Sequence, residues 1–186
     1  DDAPFRCGTH TREHLTVVRT CTFKDAAGAV QAVYHPATTA SAMIHAVVDG
    51  SITRDNWSAT VHRVRDLTVT GLAGAETSRT WNGTGEGTAT RSRHNNNGET
   101  RSYDVSATGA LTNVVVNLPR DENRWPVSGT ATKHVSVTVT GGPRDGQTFE
   151  RTVTITFNGT QFVPIQVNDK TFTFDLKTRR IVRDGV

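Results

Sequence analysis

Strict alternation of apolar and hydroxyl side chains is the feature that most constrains how this chain can fold. Residues 135–140 read Val-Ser-Val-Thr-Val-Thr and residues 152–157 read Thr-Val-Thr-Ile-Thr-Phe. A period of two places one apolar and one polar face on a β-strand and is incompatible with a helix. The chain also holds 31 Thr, 22 Val and 5 Ile but only 6 Leu, and β-branched residues favour strands. We therefore predict an all-β fold of antiparallel hairpins and meanders, forming a curled sandwich or a partly closed barrel with little or no helix.

Turn signals divide the chain into about ten to twelve strands of one domain, residues 1–186. Residues 77–93 and 99–116 flank the turn at 95–98 and predict a long hairpin. Four strands of a meander are predicted between residue 135 and residue 176. Asn158-Gly159 predicts a two-residue turn within it. Asp49-Gly50 favours another hairpin over a helix in residues 40–48, because β-branched residues dominate on both sides.

The two cysteines, Cys7 and Cys21, predict one disulfide that staples the N-terminal segment 1–25. Residue 1 is Asp rather than Met, which is typical of a chain whose export signal has been removed. We expect a periplasmic, extracellular or cell-surface location, where disulfides persist. The longest apolar stretch, 42–48, is interrupted by His45 and is far shorter than a membrane span of about 20 residues. The sequence therefore predicts no transmembrane segment.

Residues 10–14 match H-x-x-E-H, the zinc-binding pattern of inverted zincins, with His10, Glu13 and His14 in the motif positions. The pattern needs a helix to bring both imidazoles to one face, yet these residues lead directly into a probable strand. A zinc-dependent hydrolase is thus a remote alternative, and a structural zinc site using Cys7 and Cys21 as further ligands is another. The favoured interpretation has surface histidines, no metal and no cofactor.

Glycines at every second position leave one face of the strand that begins near residue 78 without side chains. Trp81, Gly83, Gly85 and Gly87 share this face, and Tyr103 lies on the strand predicted to follow. Strand glycines mark a bend, a bulge or the close approach of another group. The structural interpretation is sharp coiling of the sheet, or an aromatic ring from another layer lying on the bare backbone. The functional interpretation is the floor of a groove for a ligand or a partner strand.

Arginines cluster on both sides of the long hairpin's turn and again near the C-terminus. The candidate partner-binding residues are Arg91, Arg93, Arg101, Arg179 and Arg180. Such clusters suit an acidic protein surface or lipid headgroups. The net charge is only +3, and the few aromatic residues are needed for a core, so nucleic acid is not an expected partner.

No serine or cysteine nucleophile motif is present in the sequence. Our leading hypothesis is therefore a non-enzymatic extracytoplasmic scaffold subunit that docks on other protein subunits, including those of a membrane-associated assembly. The alternative is a β-barrel carrier of a small apolar ligand, bound at the glycine-faced strand.

Overall fold

The computed structural model describes residues 5–74, 76–94 and 98–182. These residues form twelve β-strands, a short 3₁₀ turn (Gly142–Arg144) and no α-helix. The strands are β1 (Gly8–Arg12), β2 (Leu15–Asp25), β3 (Val30–Gln31), β4 (Thr39–Arg54), β5 (Trp57–Thr70), β6 (Ser78–His94), β7 (Thr100–Asn117), β8 (Ser128–Thr140), β9 (Thr148–Thr156), β10 (Phe162–Val167), β11 (Lys170–Asp175) and β12 (Arg180–Val182). The described residues include no helix long and apolar enough to cross a membrane.

All twelve strands belong to one antiparallel sheet, ordered β1-β2-β4-β5-β6-β7-β8-β9-β10-β11-β12, with the short β3 paired to β2. The order begins at β1 and ends at β12, so the sheet is open. The predicted all-β class is confirmed. The long hairpin (β6–β7) and the C-terminal meander (β8–β11) also form where the alternation predicts them.

Cross-strand register divides the sheet into two chemically different faces. We call one the apolar face. One of its rows runs through nine strands as Cys21, Ile44, Leu67, Gly83, Leu111, Ala131, Ile155, Ile165 and Phe172. We call the other the threonine face. The neighbouring row on that side contains Thr20, His45, Asp66, Thr84, Ala110, Thr132, Thr154, Gln166 and Thr171.

A small core covers one end of the apolar face. Phe23, Ala42, Val69 and Leu72 are its buried residues. The partly buried residues packed against them are Phe5, Cys7, Cys21, Tyr34 and Trp81. Three of the rings, Phe5, Phe23 and Tyr34, lie with centroids 5.2 to 5.8 Å apart. The predicted disulfide is confirmed, since Cys7 and Cys21 are bonded with their Cα atoms 5.9 Å apart. The N-terminal segment is thereby held over the ends of β2, β4 and β5.

The predicted hairpin at Asp49-Gly50 is wrong. Both residues lie inside β4, which continues to Arg54 before the chain turns. The glycine serves close approach rather than a turn, because a Cβ at Gly50 would lie 2.7 Å from the His14 carbonyl oxygen. That carbonyl accepts a hydrogen bond from the Ser51 N–H at 3.2 Å. Gly50 therefore lets the β1–β2 turn bind to the neighbouring strand.

The two-residue turn predicted at Asn158-Gly159 is also wrong. β9 ends at Thr156 and β10 begins at Phe162, so the connection spans residues 157–161. The Asn158 side chain organises this longer loop: Oδ1 accepts hydrogen bonds from the Thr160 N–H at 3.1 Å and the Thr160 hydroxyl at 2.9 Å. An asparagine that bonds to the backbone two residues on forms an Asx turn, which competes with the hairpin turn.

The protein exposes far more surface than a compact chain of its mass. Its accessible area is 12389 Å², against about 8,800 Å² for a folded monomer of this size. The middle strands show the reason: side chains on the apolar face of β6 and β7 are only half-buried, and those on the threonine face are mostly exposed. Much of the sheet is therefore available for contact.

Candidate binding face

A trough runs over the apolar face of β5 to β8, with a volume of about 380 Å³. Small side chains from β6 and β7 form its floor: Gly83, Gly85, Gly87, Ala89, Ala107 and Gly109. Larger residues border it, namely Arg63, Arg65 and Leu67 on β5, Val105 and Leu111 on β7, and Lys133 and Val135 on β8. The trough exists because glycine and alanine leave a depression in a sheet whose neighbouring strands carry long side chains.

Two arginines of β5 lie across the bare backbone of β6. Arg63 pairs with Gly87, and Arg65 pairs with Gly85. The Cγ atoms of Arg63 and Arg65 lie only 2.7 and 3.1 Å from where a Cβ would stand on those glycines. Gly85 and Gly87 thus provide the close approach that was one interpretation of the pattern. The arginine stems pack on the backbone, and both arginines line the trough.

Charge is segregated between the two faces of β4 to β9. Every Lys and Arg on these strands lies on the apolar face: Arg54, Arg63, Arg65, Arg79, Arg91, Arg93, Arg101, Lys133 and Arg151. Every Asp and Glu on them lies on the threonine face: Asp49, Asp66, Glu86, Asp104 and Glu150. The summed field therefore attracts anions to the apolar face.

Three acids of the threonine face, Asp49, Asp66 and Asp104, have hydrogen-bond partners on that face. Asp66 Oδ1 lies 2.7 Å from His45 Nδ1, and Asp49 Oδ1 lies 2.6 Å from His62 Nδ1. The cations of the trough differ. Arg63, Arg65 and Lys133 form no hydrogen bond or ion pair with any other residue in the described ranges. Their positive charge is therefore available to an external anion.

The structure separates the residues predicted to form a ligand groove. Gly83, Gly85 and Gly87 line the trough. Trp81 is directed to the end of the apolar face, where it packs against the small core. Tyr103 pairs with Arg91 and Val139 and lies outside the trough lining. Arg63, Arg65 and Lys133 were not among the predicted site residues. The usable signal in the sequence was the period-two spacing of Arg63, Arg65 and Leu67, which places them on one face of a strand.

The predicted basic cluster divides into two groups. Arg93 and Arg101 are cross-strand partners near the end of the long hairpin, and Arg91 lies two residues from Arg93 on the same face. Arg179 and Arg180 lie at the end of the strand order, with Arg180 in the edge strand β12. Four strands separate β7 from β12, so the register does not place these residues in one patch.

A second depression lies on the last three strands and is mainly apolar. Its lining residues are Phe162, Val163, Pro164, Thr171, Phe172, Thr173, Arg180, Ile181 and Val182. Large apolar side chains are exposed here: Phe162 by 51% and Val182 by 39% on the face that carries Arg180, and Ile181 by 41% on the opposite face of the sheet. We call this surface the C-terminal patch. Its edge strand, β12, has a hydrogen-bonded neighbour on one side only among the described residues.

Asp175 fixes the turn that leads into β12. Its Oδ1 accepts hydrogen bonds from Gln161 Nε2 and the Lys177 N–H, both at 2.8 Å. The Thr178 N–H and hydroxyl add further bonds. Desolvation of the carboxyl opposes ionisation, but these hydrogen bonds outweigh it and lower the pKa of Asp175. The charged carboxylate therefore helps to position Arg179 and Arg180.

The H-x-x-E-H residues do not adopt the helix that zincin chemistry requires. His10 lies in β1, and Glu13 and His14 form the turn to β2, with Glu13 at a φ of 50°. His10 Nε2 is 3.1 Å from the Arg6 carbonyl oxygen. Within residues 5–74, 76–94 and 98–182, no three His, Cys, Asp or Glu residues are grouped as metal ligands. Both cysteines are in the disulfide and are not thiolate ligands.

Comparison of the chain with protein-family models, with curated proteins and with solved structures finds no match.

Proposed function

We propose that this chain is a non-enzymatic interaction subunit outside the cytoplasm, which docks on a larger protein assembly through its C-terminal patch. The observation that carries the proposal is the pair of exposed apolar side chains, Phe162 and Val182, that share one face of β10 to β12 with Arg180. Contiguous apolar surface beside polar residues is typical of protein interaction sites. The Cys7–Cys21 disulfide is compatible with an oxidising, extracytoplasmic compartment.

The open edge at β12 offers backbone groups to which a partner strand can add. Arg179 and Arg180 beside this edge favour an acidic partner surface.

Copurification with crosslinking in native extracts tests this function. A double variant, Phe162→Ser with Val182→Ser, removes apolar area from the patch. Val30→Ser is the matched control, because Val30 is 70% exposed on β3, at the opposite end of the strand order. We expect the wild type and the control to recover the same identified subunit, and the double variant to lose it. A free monomer in native extracts, or undiminished recovery by the double variant, would contradict the proposal.

A second candidate function, carriage of a small apolar ligand, is favoured by the trough. Its volume of about 380 Å³ lies within the range of about 300–1,000 Å³ usual for small-molecule sites. Because the sheet is open, the ligand would lie on the face of β5 to β8 rather than inside a closed wall of strands. Direct titration with a neutral and an anionic compound of the same chain length tests this candidate, and the failure of both to bind would contradict it.

A further inference from the structure

We propose that the trough binds a monomeric anionic amphiphile, a compound with one apolar chain and one carboxylate or comparable anionic group. This inference rests on the second candidate function and specifies its ligand class. Two neighbouring rows of the apolar face support this ligand class, one charged and one apolar. An amphiphile needs a cationic and an apolar surface within the length of one molecule.

The charged row crosses the trough as Arg65, Gly85, Gly109 and Lys133. Three inter-strand steps separate the Cα atoms of Arg65 and Lys133, which is about 14 Å. The two residues between them are glycines, so both long cationic side chains can extend over bare backbone toward each other. Arg63, on the next row, lines the same space. An anionic group above Gly85 and Gly109 would lie within reach of all three cations.

The apolar row lies two residues further along each strand. Within the trough it contains Leu67, Gly83, Leu111 and Ala131. It continues past the trough to the half-buried Ile155 on β9, with no charged residue in the row. Four inter-strand steps from β5 to β9 span about 19 Å. This row offers an extended apolar track next to the cationic centre.

The lining favours an amphiphile over other anions. No aromatic and no Asn or Gln residue lines the trough. The lining also includes Glu86 and four threonines, whose register places their side chains on the threonine face: Thr84, Thr88, Thr108 and Thr132. Sugars and nucleic acid bases are commonly held by stacking on aromatic rings and by hydrogen-bonding side chains, so the floor is poorly suited to either. A second copy presenting the same face would bring like charges together. An apolar chain, by contrast, gains from a Gly, Ala, Leu and Val surface.

Calorimetric titration with dodecanoate and with 1-dodecanol tests the inference, because the two probes share a chain and differ in charge. We expect one dodecanoate per protein, weaker binding at higher salt, and weaker binding of 1-dodecanol. Arg65→Gln with Lys133→Gln should weaken dodecanoate binding at least about tenfold. Arg54→Gln with Arg93→Gln is the matched control: it also removes two positive charges from the same face, outside the trough, and should leave affinity unchanged. Thermal unfolding of each variant verifies that the fold is retained.

The other outcomes distinguish the anionic ligand class from the more general carrier function. Equal affinity for 1-dodecanol and dodecanoate would overturn the anionic inference and leave the carrier function standing. Failure of both probes to bind would overturn both. Cosedimentation with phosphatidylglycerol vesicles but not phosphatidylcholine vesicles, without dodecanoate binding, would assign the cationic face to a membrane surface and overturn the monomeric ligand. Undiminished binding by the double variant would show that these cations do not hold the anion.

Discussion

Substitution of Gly83 by alanine is the sharpest test of the trough's architecture. A Cβ at Gly83 would overlap the carbonyl oxygen of Asp66 and lie 2.8 Å from Leu67 Cδ2 and 2.9 Å from Leu67 Cα. Two of these three atoms belong to the backbone of β5, which cannot rotate away as a side chain can. The strands β5 and β6 must therefore separate locally to accept the methyl group.

The expected loss follows from two opposing effects. Overpacking costs about 1–3 kcal/mol, and contact with backbone places Gly83→Ala at the upper end, about 3 kcal/mol. Alanine regains about 0.5–1 kcal/mol relative to glycine, because it has less backbone entropy to lose on folding. The net destabilisation is then about 2 kcal/mol, which corresponds to about 4–8 °C in Tm for a chain of this length.

Gly109→Ala is the matched control within the same trough. Its Cβ would contact only the Thr132 carbonyl oxygen, at 3.2 Å, so a small adjustment accommodates it. We expect a Tm within about 2 °C of the wild type. Thermal unfolding followed by circular dichroism measures both variants. If Gly83→Ala unfolds at the wild-type temperature, or if both variants lose the same stability, the close approach of β5 to β6 is not what requires glycine at position 83.

Three further predictions concern other parts of the sheet. Replacing Cys7 and Cys21 by serine should cost about 3 kcal/mol in unfolding free energy, measured by urea denaturation, because the disulfide closes a loop with a sequence separation of 14; an unchanged midpoint would refute it. Asp175→Asn should destabilise the protein at neutral pH, and because the folded pKa is lowered, the gap to the wild type should narrow as pH falls below about 4; a gap constant with pH would contradict this. His45→Ala should change the free energy of unfolding by less than about 0.5 kcal/mol at pH 7, since the His45 and Asp66 side chains are both solvent-exposed. A loss above about 1 kcal/mol would be inconsistent with that exposure.

The strands were predictable from sequence because period-two alternation is a local signal. Residues 135–140 of β8 and 152–156 of β9 alternate valine or isoleucine with threonine or serine, so both the element type and its apolar face can be assigned there without tertiary information. The disulfide was predictable for a similar reason, since only two cysteines were available to pair.

Turns and register were less predictable, because they depend on partners distant in sequence. In the sequence, Asp49-Gly50 is typical of a turn. In the structure, Gly50 is needed because the His14 carbonyl oxygen lies close to where a Cβ would stand. In β7 a bulge between Thr112 and Val115, with Asn113 at a φ of 49°, reverses the alternation. Val114 consequently lies on the apolar face, where simple alternation from Leu111 would place Val115. An irregularity of this kind is set by cross-strand pairing and leaves a weak trace in the sequence.

The trough cations were missed because they lie far apart in sequence. Arg65 and Lys133 are 68 positions apart, yet one row of the sheet carries both. Only the full register, strand by strand, shows that Gly85 and Gly109 separate them. The glycine pattern predicted close approach as one interpretation, and arginine side chains do lie against Gly85 and Gly87, whereas the use of these glycines as a ligand groove stays a prediction.

The same charge layout explains why the apolar face stays open. Curling the sheet tightly enough to bury that face against itself would remove Arg63, Arg65 and Lys133 from water without a carboxylate near them, since the acids of β4 to β9 all lie on the opposite face. Burying unpaired like charges is strongly unfavourable, and pairing two copies through this face meets the same cost. The arrangement thus acts against self-closure and self-association of the apolar face, and the anionic ligand that we propose would compensate these cations.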